Sequence, residues 1–229
     1  MAQPYHVVFA LYPRVTQLDF TGPLEVLARL PGARVVLAAA TPGELACESG
    51  LRVANLEALA EVSECDLLCV PGGFGCSAAM ADAVYLEALR RLAARAQYVT
   101  SVCTGSLLLG AAGLLRGRRA ACHWASRDLL PHFGAIPDAR RVVRDGNLFS
   151  GGGVTAGIDM ALAVVEAIAG RDVAEAIELG LEYAPEPPFA AGRPELARAE
   201  VLAAVRAQFQ AVWPERLAAV RRAAAALPQ

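Results

Sequence analysis

Short apolar runs alternate along this chain with longer amphipathic stretches, and that alternation limits the possible folds more than any other feature. The runs at residues 5–11, 33–39, 66–70 and 97–102 have the length and the β-branched content of buried strands. Between the last two, Tyr85, Leu89, Leu92 and Ala96 recur at helical spacing while Glu87, Arg90, Arg91 and Arg95 fall on the opposite side, as on a surface helix. Strands joined through helices have to cross over the sheet, so neighbouring strands run parallel and helices cover the faces. The expectation is an α/β sandwich around a mostly parallel sheet.

The remaining segments fill in around that frame. Pro23 suits the first position of a helix continued by Leu24, Leu27 and Ala28. Residues 43–55, with Glu48, Ser49 and Gly50 at their turn, read as an inserted hairpin, and residues 140–150, centred on Asp145-Gly146, as a second one. Helices are expected at 155–169 and 172–183. Four prolines between 184 and 194 make that stretch an irregular connector. Beyond it Val201, Val205, Phe209 and Val212 mark one helix face, and Pro214 is expected to open a last helix. With 229 residues, 55% hydrophobic and 19% charged, the chain can bury a core of ordinary size, which excludes a disordered chain. A single domain over 1–229 is expected, its core at about 1–183, with the connector and C-terminal helices at 184–229.

Charge and cysteine usage exclude several function classes. The net charge is −2 and all 21 basic side chains are arginine. Nothing in the bulk charge attracts nucleic acid or an anionic membrane, and a P-loop lysine, a Schiff-base lysine and a serine-lysine dyad are ruled out. The C-terminal tail lacks the two helices and basic reading face of a helix-turn-helix, so no nucleic-acid partner is expected. The first apolar run has no basic flank and is too short for a signal peptide core, which points to the cytoplasm. Residues 96–115 are free of charge but carry polar side chains and three glycines, and so read as strand, sharp turn and buried helix rather than a membrane span. The six cysteines, Cys47, Cys65, Cys69, Cys76, Cys103 and Cys122, form no CxxC pair and no zinc spacing, so reduced thiols are expected and no metal site. No GxGxxG fingerprint is present, and no cofactor is expected.

Three segments carry chemistry. In Tyr98-Val99-Thr100-Ser101-Val102-Cys103-Thr104-Gly105-Ser106 an apolar strand runs into a cysteine and a helix starts at once, the layout of a nucleophile elbow. Gly105 would let the helix approach the strand, and a helix N-terminus at Cys103 is expected to lower the pKa of the thiol. The other five cysteines read as small buried apolar residues, although the glycine-rich loop of Cys76 could lie near the same pocket. In Cys69-Val70-Pro71-Gly72-Gly73-Phe74-Gly75 a strand ends in a turn whose backbone N–H groups can approach a ligand. Gly72 and Gly73, with Thr104, would then bind substrate in an oxyanion-type hole. In Gln17-Leu18-Asp19-Phe20-Thr21-Gly22-Pro23, Asp19 is either a buried acid whose pKa is raised toward proton transfer or a helix cap. Glu25 is instead set to pair with Arg29 one turn on. Among the histidines, His6 lies in a strand and His132 reads as solvated. His123 is either a base returning to the sulfur or a residue packed beside Trp124.

Asp19-Phe20-Thr21-Gly22-Pro23, Pro71-Gly72-Gly73, Val102-Cys103-Thr104-Gly105-Ser106 and Cys122-His123-Trp124 together resemble the DJ-1/PfpI superfamily. Within it the chain is similar to the isonitrile hydratase (isocyanide hydratase) group, from the first strand through Tyr183-Ala184-Pro185-Glu186-Pro187-Pro188-Phe189. The elbow and glycine turn are common to the superfamily. The aspartate, the threonine after the cysteine and the late proline-rich segment are more selective. The resemblance implies a flavodoxin-like sandwich of the kind shared with class I glutamine amidotransferases, and a homodimer. It implies Cys103 as nucleophile, Asp19 as acid/base and Thr104 as an orienting neighbour, with His123 and Gly152 behind them. The stretch Gly151-Gly152-Gly153-Val154 would precede a helix near the sulfur. It also implies a lyase that hydrates a small-molecule isonitrile without a metal or other cofactor. Three other readings stay open: a cysteine-dependent glyoxalase or amidase with His123 as base, a redox sensor oxidised at Cys103, and a ligand-sensing module.

Overall fold

In β1 (Tyr5–Leu11) the residues from Val7 onward are almost inaccessible on both faces, as the centre of a parallel sheet demands. The computed structural model describes residues 4–228. After β1 come α1 (Gln17–Leu27), β2 (Ala33–Ala39) and a hairpin of β3 (Gly43–Ala46) with β4 (Arg52–Ala58). β5 (Leu67–Val70), the single-turn α2 (Cys76–Ala79), α3 (Ala83–Ala93), β6 (Tyr98–Val102) and α4 (Gly105–Ala111) follow. Two short strands, β7 (Arg119–Ala120) and β8 (Ile136–Pro137), enclose a 3₁₀ segment at Arg127–Phe133. β9 (Val142–Asp145) and β10 (Leu148–Gly151) form the second hairpin, and α5 (Ala156–Ala169), α6 (Arg171–Gly180) and α7 (Ala199–Ala225) complete the chain.

The sheet order is β3-β4-β2-β1-β5-β6-β10-β9. Its six inner strands are parallel, and only β3 and β9 at the two edges run against their neighbours. The fold is therefore the flavodoxin-like α/β arrangement with a mostly parallel sheet. Each of the two hairpins adds its second strand to the parallel sheet and turns its other strand outward as a cap on the edge, so six parallel strands replace the four long runs visible in the sequence. Because β1, β5, β6 and β10 are in register, the segments that follow them, at 12–19, 71–75, 103–105 and 152–155, meet along one edge of the sheet.

Two expectations built on proline are corrected. Pro23 does not start α1; the helix begins at Gln17, beyond the extended Thr16, and Pro23 lies inside it. Pro214 does not open a separate helix either, because α7 runs through it as one element of 27 residues. In the second half of α7 the buried positions Arg216, Ala219, Val220 and Ala223 recur at helical spacing. Burial of that stripe outweighs the one backbone hydrogen bond that Pro214 removes.

Candidate active site

β6 ends at Val102, and Cys103 adopts φ of +58°, a left-handed conformation that a cysteine takes only under constraint from its surroundings. The Cys103 N–H donates to the Gly151 carbonyl at 2.9 Å, so β10 holds the strained residue from one side. On the other side α4 lies so close to β5 that a Cβ on Gly105 would sit 2.1 Å from the Val70 carbonyl oxygen. The elbow expected from the sequence is present, and the close approach at Gly105 is what permits it.

Asp19 lies in the first turn of α1 but does not cap it. Its side chain points across to the glycine turn, where Oδ2 accepts the Gly72 N–H at 2.9 Å. The residue is 1% exposed, and Oδ1 is buried without a hydrogen-bond partner. Burial pushes the carboxyl up to about 7, although the Gly72 N–H and the neighbouring Cys103 thiol both pull the other way. Asp19 is thus an acid that can hold or release a proton near neutrality, with its carboxyl next to the Cys103 thiol.

The glycine turn is folded onto the elbow. Gly73 donates its N–H to Thr104 Oγ1 at 2.9 Å, and a Cβ on Gly72 would lie 2.5 Å from the Thr104 nitrogen. Gly72 and Gly73 therefore spend their donors on Asp19 and Thr104, while the Thr104 N–H bonds the Cys103 sulfur. The open oxyanion-type hole expected from Gly72, Gly73 and Thr104 is not what the geometry provides. The turn instead fixes the acid and the threonine against the cysteine.

Cys103 is 6% exposed, and burial together with the adjacent Asp19 carboxyl pushes its thiol well above the ordinary cysteine range. This corrects the expectation of a lowered pKa: desolvation and a like charge outweigh the N-terminus of a helix of only seven residues. Ionisation of the thiol is tied to the position of its proton relative to Asp19, so the two groups titrate as a pair.

Buried hydrogen bonds fasten Ala121, two residues before His123, to the elbow and to β10. Ser101 and Ser106 hydroxyls are 2.9 Å apart, Ser106 donates to the Ala121 carbonyl, and Ala121 N–H donates to Ser150 Oγ. The imidazole packs with Trp124 and Phe209 in a three-ring cluster, with Nδ1 accepting from the Ala125 N–H. Burial and the nearby Arg216 hold it down to about 4, so it is neutral and weakly basic, and it makes no hydrogen bond to Cys103. Gly152 donates to the Arg141 carbonyl and lies near the Cys122 carbonyl; of the same stretch it is Val154 that lines the cavity with Cys103. All six cysteines are buried free thiols, and Cys76 is sealed beneath Thr104 and Arg216 rather than open to the pocket.

A cavity of about 130 Å³ opens over Cys103 and Thr104, walled by Gly73, Phe74, His123, Val154, Phe209 and Arg216, with Thr16 and Glu48 completing the lining. The sequence reading gives no role to Phe209 or Arg216, which α7 delivers. Their signal was present: Val212, Arg216, Ala219, Val220 and Ala223 form one helical stripe in which the arginine is the odd member. The break expected at Pro214 hid it.

Residues 5–167 match the model of the DJ-1/PfpI family. The chain belongs to the DJ-1/PfpI family. This DJ-1/PfpI chain is 48% identical to the isonitrile hydratase of Pseudomonas putida, over 96% of each sequence. A crystal structure of a ThiJ/PfpI family protein from Pseudomonas syringae, 38% identical, superposes with a TM-score of 0.89 over 96% of this chain and 90% of that one. The HTH-type transcriptional regulator GlxA of Rhizobium meliloti is 31% identical over 74% of this chain, but only 53% of the regulator is covered. None of the described helices is long and apolar enough to cross a membrane.

Proposed function

We propose that this protein is an isonitrile hydratase, a lyase in which Cys103 is the nucleophile and Asp19 carries the proton. The observation that bears the reading is the buried Asp19 carboxyl, fixed through Oδ2 by the Gly72 N–H and held next to the Cys103 thiol at the elbow. The near full-length similarity to a hydratase supports it.

The terminal carbon of an isonitrile, R–NC, accepts a nucleophile and a proton on the same atom. In the first step the Cys103 S–H bond breaks, its proton passes to Asp19, and the sulfur bonds to that carbon as Asp19 delivers the proton to it. The adduct is a thioimidate, R–N=CH–S–Cys103. In the second step the Asp19 carboxylate takes a proton from water as the oxygen bonds to the imidate carbon, and Asp19 passes that same proton to the nitrogen. Collapse of R–NH–CH(OH)–S–Cys103 expels the thiol and releases the formamide R–NH–CHO. One water is consumed and no redox change occurs, so neither step draws on a metal or an organic cofactor. Charge develops at carbon and nitrogen rather than on an acyl oxygen, which suits a site whose glycine donors are engaged elsewhere.

The neutral His123, held by Ala125, is ill suited to activate a buried thiol, which weighs against a cysteine-histidine glyoxalase or amidase. The reading extends to a homodimer in the cytoplasm, which light scattering and cell fractionation can check. The central test follows a simple isonitrile by proton NMR. Wild type should convert it to the formamide and Cys103→Ala should not. Turnover by the alanine variant would overturn the scheme, whereas loss on His123→Ala comparable to that on Cys103→Ala would favour the cysteine-histidine enzyme.

A further inference from the structure

The hydration scheme leaves one charged wall of the cavity unused. Arg216 is 4% exposed and lines the same space as Cys103 and Thr104. Its guanidinium donates to Ser126 Oγ at 3.0 Å and, weakly, to the Gly73 carbonyl at 3.5 Å, and it lies against the Cys76 thiol, whose pKa burial raises; none of the three is an anion. Its Nε is buried without any partner, and among the described residues no carboxylate lies within salt-bridge distance of it. A guanidinium does not shed its proton to relieve such burial, as a lysine or histidine would. An unpaired buried cation is strongly unfavourable in the absence of a counter-charge. The carboxylates nearest the cavity do not answer it. Asp19 is committed to Gly72 and the thiol, and the exposed Glu48 stands at the rim against the Phe74 N–H.

We infer that Arg216 is a substrate-binding residue whose counter-ion is a carboxylate carried by the substrate itself, so that the preferred isonitriles are small isocyano acids. The inference rests on the hydratase reading for the identity of the reactive carbon, but the anion site stands on Arg216 alone. The cavity has room for about four waters next to Arg216 and Cys103, which suits a ligand whose charged and reactive ends are only a few bonds apart. With its carboxylate on Arg216, such a substrate has its terminal carbon free to reach Cys103.

Isocyanoacetate and its neutral isostere isocyanoacetamide, with the corresponding products N-formylglycine and N-formylglycinamide, test this. Titration calorimetry on the full chain should show N-formylglycine binding on the order of 30-fold more tightly than the amide, the scale of a charge-assisted contact. The kcat/KM values of the two isonitriles should differ in the same sense. Arg216→Gln should erase both preferences, chiefly by raising KM for the acid. Arg216→Lys should keep part of them, and if the glutamine variant does not fold, the wild-type and lysine measurements decide. Equal affinity of wild type for acid and amide overturns the proposal, as does a loss on Arg216→Gln that is the same for both, which would mark a purely structural arginine. If N-formylglycine binds selectively but no isonitrile is consumed, the anion site stands and the hydratase reading falls. If both isonitriles are hydrated with equal kcat/KM, the reverse holds.

Discussion

At Cys103 and Asp19 two ionisable groups are buried together: burial makes both harder to ionise, the Asp19 carboxylate makes it harder still for the thiol, and the thiol's hydrogen bond eases ionisation of Asp19. The productive state is the pair holding one proton, because the thiol can surrender its hydrogen only to an ionised Asp19. With the carboxyl at about 7 and the thiol well above its ordinary range, kcat/KM is expected to rise with pH through about 7 and then level off. A pH–rate profile measures this directly. Asp19→Asn should lower kcat/KM by about 10²- to 10⁴-fold and remove the acid limb, and a limb that survives in the asparagine variant would assign it to another group. Thr104 acts one step removed, through the Gly73 N–H that its hydroxyl accepts. Thr104→Val orphans that donor and should cost roughly 5- to 100-fold in kcat with little change in KM, while Thr104→Ser restores it.

Among the elements, the elbow depends on an interlayer gap too narrow for a methyl group. Gly105→Ala would place a carbon against the Val70 carbonyl, which is backbone and cannot rotate away. The variant should lose about 3 kcal/mol or more of stability by urea unfolding, and a smaller loss would mean that α4 can shift off the sheet cheaply. Pro214→Ala should move the other way, by up to about 3 kcal/mol, since it restores a helical N–H within α7 at an exposed position. How far the chain can be read without its structure follows from the range of the forces involved. β1, β2, β5 and β6 were legible because continuous apolar runs can only be buried strands, and the elbow was legible because strand, cysteine and glycine are consecutive. The parallel roles of β4 and β10 were not, since pairing partners lie far away along the chain and a four-residue strand ending in Ser150 and Gly151 has no pattern of its own. Asp19 was legible as an acid on the correct edge. The engagement of the Gly72 and Gly73 donors was not, because it is decided by the docking of three separate loops.

The molecule as a whole carries a stability cost for this site. Asp19 is raised from 3.8 to about 7 on folding, so between those pH values the folded state binds more protons than the unfolded one. Stability is therefore lost as pH rises through that window, by up to roughly 4 kcal/mol, and no cost is felt below it. Asp138 has the opposite sign: hydrogen bonds from Arg140 and Arg119 hold it well below the carboxylate range, so its contribution is present at neutral pH and is lost on strong acidification. Asp19→Asn, inactive as a catalyst, should unfold at a higher temperature than wild type at pH 8 and at about the same temperature at pH 4, as measured by calorimetry. An equal shift at both values would mean that the gain comes from packing rather than from charge.

Phe209 and Arg216 come from the final helix, whereas Asp19 comes from the first. On a ribosome the chain would have its acid, its sulfur and its glycine turn in place well before the last wall of the cavity had been synthesised. A nascent copy would hold its cysteine in a chamber still open on the side of Phe209 and Arg216, and it gains that selecting wall only once the helix that carries them has emerged.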